Sequence, residues 1–320
     1  MLISPPAALV LTYARTGNCL KLVDDLRLSG CREIFIFIDG GRTSSINNSQ
    51  RQLLNTLGNG ISGLRIHIRK SPINRGIALS MISALDWFFD NRNEGIILED
   101  DLQISEAFLP FTSLMLNLFE SDETVAMISG NNYRSSKPSE LAITWSNYPQ
   151  TWGWATWKRS WIKLRDAYES PIEFRDFLNF SSRRSFWAIG ANNVKRGLID
   201  TWDIPIAESM KKQGLYSIIP PKNLVTNVGN DPFATHTNHA NFPMGFPIGN
   251  LNINELKWSE SFTDRKTISL IYDTFLEDKV FKIKPKHSLL LFKELMVCNR
   301  KNSLAQAIKE PVLFEDFFYD

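Results

Sequence analysis

"IILEDDLQIS", residues 96–105, sets three carboxylates directly behind a short apolar run. Glu99, Asp100 and Asp101 repel one another, and the residues before them read as a buried strand. Two readings are open. An acidic turn can start a helix, where carboxylates complement the dipole and Asp101 or Ser105 acts as its cap. Alternatively the cluster is built for a cation. Adjacent carboxylates at a sheet rim raise one another's pKa unless a cation is present. Mg²⁺ and Mn²⁺ take oxygen ligands, often one or two carboxylates completed by substrate phosphates. Position and composition favour the cation.

Outward from this stretch, short apolar runs alternate with helical patterns. "AALVLTYART" (7–16), "REIFIFIDGG" (32–41), "GLRIHIRK" (63–70), "EGIILEDD" (94–101) and "TVAMISG" (124–130) read as strands. "GNCLKLVDDLRLSG" (17–30), "SQRQLLNTLGNG" (49–60) and "GIALSMISALDWFFD" (76–90) read as helices. Such alternation predicts an α/β fold with a mostly parallel central sheet flanked by helices. Ligands of these sheets bind beyond the carboxyl ends of the strands. Arg15, Asp39 and the acidic triplet all fall there. Arg75 and Gly76 precede a predicted helix, whose N-terminus favours anions such as a diphosphate; a tight surface turn is the plainer reading.

After residue 130 the pattern loosens. In "YPQTWGWATWKRSWIKL" (148–164), Trp154, Trp157 and Trp161 recur at three and four, which predicts one helix face packed in the core. Trp152 and Trp154 flank Gly153, and one of the two, Trp154 first, is the candidate to stack on a sugar ring. "YSIIPPKNLVTNVG" (216–229) contains another strand and a turn, 230–250 reads as a long loop, and helical character returns from about 255. There is no internal repeat.

Composition narrows the class. The chain has 320 residues, 43% hydrophobic and 22% charged, with a formal net charge of +2. That balance supports a globular core and gives no field for nucleic acid. Cys19, Cys31 and Cys298 lack C-x-x-C spacing and suggest free thiols in a reducing compartment. The first residues show no basic leader, and no apolar run approaches the ~20 residues that span a bilayer. The expectation is a cytoplasmic protein. "DKVFKIKPKHSLLLFKELMVCNRK" (278–301) reads first as an amphipathic closing helix. Its second reading is peripheral contact with the anionic face of an inner membrane.

Residues 74–111, a helix, an apolar strand, E-D-D and a turn into another helix, resemble the middle of a GT-A glycosyltransferase. The chain is most similar to the N-acetylglucosaminyltransferase I family and to bacterial transferases that build surface polysaccharides. "TYART", "FIDGG", "YPQTWGWATW" and "TWDIPIAESMKKQGLYSIIPPKNLVTNVGND" fall in the order of that pattern, over about residues 7–238. The chain departs from the first family in having one aspartate, Asp203, where that family has two in succession.

The resemblance implies a GT-A domain with a nucleotide-sugar half (1–130), an acceptor and catalytic half (131–250) and a helical C-terminal extension (251–320). It implies Mn²⁺ or Mg²⁺ on Asp101, with His236 from a late loop as a second ligand and His239 as a weaker candidate. Asp100 would lie near the ribose or the metal, and Glu99 near the donor sugar. Asp39 would accept the uracil N3–H, and Arg15 would lie against the nucleotide or its phosphates. Asp203 would be the general base, with Asp200 and Glu208 as local competitors. If the stretch enters a helix, Asp200 and Asp203 share a face; the plainer reading of Asp203 is a cap for a helix beginning at Pro205. The implied activity is inverting transfer of a sugar from a UDP-sugar to a glycan or lipid-linked oligosaccharide hydroxyl, in surface polysaccharide such as O-antigen, lipopolysaccharide or capsule. Two rivals remain. A sugar-phosphate nucleotidyltransferase would need a Gly-rich phosphate loop after the first strand, where "TYARTGNCLK" has one glycine. A non-catalytic carbohydrate-binding protein would need no ordered set of such positions.

Overall fold

The computed structural model describes residues 5–134, 141–169, 182–229, 247–256 and 265–277. His236, His239, Cys298 and the basic segment 278–301 lie outside them.

Four parallel strands build the first half. These are β1 (Ala8–Thr12), β2 (Glu33–Ile38), β3 (Arg65–Lys70) and β4 (Glu94–Glu99). Helices α1 (Thr16–Leu28), α2 (Ser44–Gly58) and α3 (Ile77–Asn91) connect them. Register places their carboxyl ends together, because Thr12 lies opposite Ile38 and Leu11 opposite Glu99. Next come β5 (Leu102–Ile104), α4 (Phe108–Leu118), β6 (Val125–Ser129), β7 (Thr144–Ser146), β8 (Trp154–Trp157) and α5 (Lys158–Arg165). The remaining elements are α6 (Ser182–Lys195), α7 (Asp203–Gln213), β9 (Tyr216–Ile219), β10 (Val225–Asn227) and α8 (Arg265–Phe275).

Eight strands form one sheet in the order β3-β2-β1-β4-β8-β6-β9-β7. Four of its seven pairings are parallel, and β8 runs antiparallel between β4 and β6. The fold is therefore α/β with a large, mostly parallel central sheet flanked by helices. Strand side chains alternate between the two faces. Val10, Ile34 and Ile36 pack with Leu22, Leu26, Leu53 and Phe111 on one side. Leu9, Leu11, Phe35 and Phe37 pack with Leu85, Phe88, Trp161 and Met210 on the other. Each fully buried Leu, Ile or Phe contributes ~1.5–3 kcal/mol, which fixes the layers.

Three expectations change. Helix α2 begins at Ser44, ahead of residue 49, because the Thr43 hydroxyl accepts from the Ile46 amide at 3.3 Å. Trp154 and Trp157 lie on β8 and not on a helix; only Trp161 is helical. Three residues apart on a strand, the two point to opposite faces, and they join opposite cores. The three-and-four spacing was a coincidence of two elements meeting. Lastly, β5 and β10 form a small antiparallel sheet of their own, with Leu102 opposite Asn227. That sheet carries the segment after Asn227 back over the acidic triplet.

Candidate functional site

The acidic triplet sits where β4 ends. Asp100 is 6% exposed and bonded into the first strand: the Thr12 hydroxyl donates to its Oδ2 at 2.6 Å and the Tyr13 amide at 3.3 Å. Arg15, from the turn between β1 and α1, supplies a cation. Its Nη1 lies 3.6 Å from Asp100 Oδ1 and 3.3 Å from Asp101 Oδ2, and its Nη2 donates to the Gly229 carbonyl at 3.2 Å. The guanidinium expected against a nucleotide thus also bridges the carboxylates to the segment after β10. Burial nonetheless pushes the Asp100 carboxyl up to about 6, against the Thr12 hydrogen bond.

Asp203 acts on the same place from beyond residue 200. The Glu99 carboxyl is driven well above its ordinary range by burial first, then by the charges of Asp101, Asp100 and Asp203. The Trp202 side chain hydrogen-bonds Glu99 and lowers it. Carboxylates from two distant parts of the chain therefore act together on Glu99. Asp203 is the first residue of α7, and its Oδ1 accepts the Thr201 hydroxyl at 2.5 Å. The helix begins at Asp203 itself, not at Pro205, and Asp200 lies outside it. The premise that Asp200 and Asp203 share a helical face does not hold.

The structure puts Asp200 elsewhere. Its Oδ2 accepts from the Ile77 amide at 3.1 Å and its Oδ1 from the Ala78 amide at 3.0 Å. The N-terminus of α3, expected to face a diphosphate, holds a carboxylate of the chain's own. Gly76 makes this approach workable: its φ is +80°, and a Cβ there would meet Asp200 Oδ2 at 2.3 Å. Arg75 is exposed and donates to the Ser83 hydroxyl at 2.7 Å.

Asp39 is buried beyond β2. Its carboxylate accepts from the Gly40 amide at 2.9 Å, the Arg75 amide at 3.0 Å and the Asn74 side chain at 2.9 Å. A carboxylate offers about four acceptor positions, so Asp39 spends most of its capacity holding the turn into α3. Gln50 of α2 fixes the neighbouring backbone, donating to the carbonyls of Tyr13 and Asp39 at 2.8 Å each.

Trp154 is 1% exposed and its ring stacks on Trp202 at 5.7 Å between centroids. It has no open face for a sugar. Trp152 is half-buried, edge-on to Tyr133 at 5.5 Å.

Thr12, Trp202, Asn227 and Gly229 are members that the sequence reading missed. The "NVG" turn was the available signal, because the Asn227 side chain accepts from the Gly229 amide at 2.7 Å in a self-closing turn. Gly229 also leaves room for Asp101, since a Cβ there would lie 2.5 Å from Asp101 Oδ2.

Among the described residues no three of His, Cys, Asp or Glu gather into a cage for a metal ion. The adjacent carboxylates of Asp100 and Asp101, here held by Arg15, are oxygen donors of the kind a hard cation completed by phosphate oxygens takes. No described helix is long and apolar enough to cross a membrane.

No family model matches the chain, and no curated protein matches it. Among solved structures it is similar to a mannosyltransferase from Pyrobaculum calidifontis in complex with GDP-Man and Mn²⁺. Identity is 12% over 65% of this chain and 69% of that one, with a TM-score of 0.37. It is also similar to a putative glucose-1-phosphate thymidylyltransferase from Bacillus anthracis in complex with sucrose, at 12% identity over 69% of this chain and 89% of that one, TM-score 0.37. A UDP-glucose pyrophosphorylase complexed with UDP-glucose is similar over 44% of this chain and 57% of that one, at 11% identity and a TM-score of 0.27. Scores of this size carry no argument about what this chain does.

Proposed function

We propose that the chain is an inverting glycosyltransferase that moves a sugar from a UDP-sugar to a hydroxyl of a glycan or lipid-linked acceptor, in surface polysaccharide assembly. One observation carries the reading: the Asp203 charge acts on Glu99 together with those of Asp100 and Asp101, at the carboxyl rim of the sheet. A donor site and a base must meet in one place for such a transfer, and this is where a ligand of an α/β sheet lies.

Asp101 would hold a divalent cation, with Asp100 behind it fixed by Thr12. The bound cation supplies charge neutralisation for a leaving diphosphate. Arg15 complements it with a permanent planar charge that suits phosphate oxygens. Glu99 lies toward the donor sugar. Asp203 takes the proton from the acceptor hydroxyl as that oxygen attacks the anomeric carbon from the face opposite the diphosphate. His236, if it reaches the cation, favours Mn²⁺. The β1–α1 connection is only Tyr13, Ala14 and Arg15, with no glycine, which speaks against the nucleotidyltransferase rival.

The test is UDP release from a panel of UDP-sugars with Mn²⁺, with and without acceptor glycans, beside pyrophosphate release from sugar 1-phosphates and UTP. Acceptor-dependent UDP release, with product anomers inverted by NMR, supports the reading. Pyrophosphate release alone would replace it with nucleotidyl transfer. A retained anomer would remove Asp203 as base.

A further inference from the structure

Asp200 has a place in this site that its neighbour Asp203 does not explain. It lies in an exposed loop, yet both of its carboxylate oxygens reach across to the start of α3. The loop it belongs to is short and pinned on every side. Trp202 stacks on Trp154, its side chain bonds Glu99, and its carbonyl accepts the Tyr168 hydroxyl. Thr201 donates to Asp203. At the other end, α3 is entered by the turn that Asp39 holds through Asn74 and the Arg75 amide. A continuous path therefore runs from Asp39 through the 74–76 turn to the α3 amides, then through Asp200 and Thr201 to Asp203.

We propose that Asp200 is a positioning residue for Asp203. It anchors the 200–203 segment to the nucleotide-binding half, so that placement of the base depends on the turn that Asp39 organises. The inference rests on the proposed transferase reading. The chemistry required is only acceptance of two amide N–H groups at a helix start, one on each carboxylate oxygen; Asn keeps one of those acceptors and Ala neither. A base must instead accept and carry a proton, which Asn cannot do.

That difference gives the experiment. Asp200→Ala, Asp200→Asn, Gly76→Ala and Asp203→Asn are compared in the full chain by steady-state kinetics and by amide hydrogen exchange. Asp200→Ala is expected to lower kcat roughly five- to tenfold, leaving donor KM and the pH profile in place. Asp200→Asn, which keeps one of the two acceptors, should fall between Asp200→Ala and the parent, within about threefold of the parent. Gly76→Ala puts a Cβ into Asp200 and should reproduce Asp200→Ala, with the double variant no worse than the poorer single. Exchange should speed up at both the Ile77 and Ala78 amides in Asp200→Ala, and at no more than one of them in Asp200→Asn. Faster exchange with unchanged kcat would overturn the proposal and leave a simple cap. An equal collapse in Asp200→Ala and Asp200→Asn would overturn it by making Asp200 the base. Absence of turnover in the parent chain would remove the transferase reading and the positioning role with it. Amide exchange would still show, separately, whether the clamp exists.

Discussion

Among the described residues, two places bury carboxylates side by side, and they are built differently. At the far edge of the sheet, α8 lies on β7. Asp273 accepts the Ser146 hydroxyl at 2.6 Å and the Asn147 amide at 3.1 Å. Glu277 accepts from Lys211 at 3.1 Å and from the Tyr148 hydroxyl, and its side chain is 7% exposed. Each of these carboxylates is bonded to the element it joins. At the strand rim, the charges of Asp100, Asp101 and Asp203 all act on Glu99, and Arg15 bridges Asp100 and Asp101. Burial raises Asp273 to about 6 and Asp100 to about 6, so burial alone does not distinguish the two places. The difference lies in the company. The edge cluster mixes carboxylates with an ammonium and neutral donors and fastens a helix to a sheet. The rim cluster concentrates like charge where a cation and an acceptor hydroxyl would relieve it.

Chelation should break the comparison most completely. EDTA, or Asp101→Asn, is expected to take sugar transfer to background while thermal stability holds. Full activity in chelator would mean that Arg15 alone serves the rim. Next in size is Asp203→Asn, expected to lower kcat by ~10²–10⁴ with UDP binding by calorimetry unchanged. A loss of less than about tenfold is smaller than general-base catalysis typically supplies and would move the base to Asp200 or Glu208.

The edge cluster makes the opposite prediction, in stability and not in turnover. Asp273 has a folded pKa above its ordinary 3.8, at about 6, chiefly through burial. Its protonated form is the one the fold favours. Its contribution is fully present below pH ~4 and is lost as pH rises through about 6. The gap corresponds to at most ~3 kcal/mol. Urea unfolding across pH 4–7 should therefore lose this amount in the parent and less in Asp273→Asn, with kcat of the two alike at pH 7. Smallest is the pH dependence of the cation. Asp100, at about 6, must be ionised to support a metal, so Mn²⁺ affinity should fall by about tenfold per pH unit below that point. A flat profile in calorimetry would place the cation away from Asp100.

The alternation of apolar runs and helical patterns sufficed to specify the parallel half of the sheet. Strands β1, β2, β4 and β6 bury nearly every residue, and a local run of apolar side chains is enough to record that. Placing Arg15, Asp39 and the triplet at one rim needed only the rule that parallel strands end together. The Trp-rich segment misled because side-chain spacing is local, whereas strand pairing is not. Trp154 to Trp157 form a strand only because β4 and β6 lie on either side to bond them. Likewise no pattern in 74–78 announces that Asp200 will seat on its amides, nor in 13–15 that Arg15 will reach Gly229. The sequence by itself determined most of the strands, helices and charged ends, because those depend on neighbours within a few positions. Which distant charges meet was decided by the tertiary structure, because register and crossover alone bring residues 99 and 203 into one field.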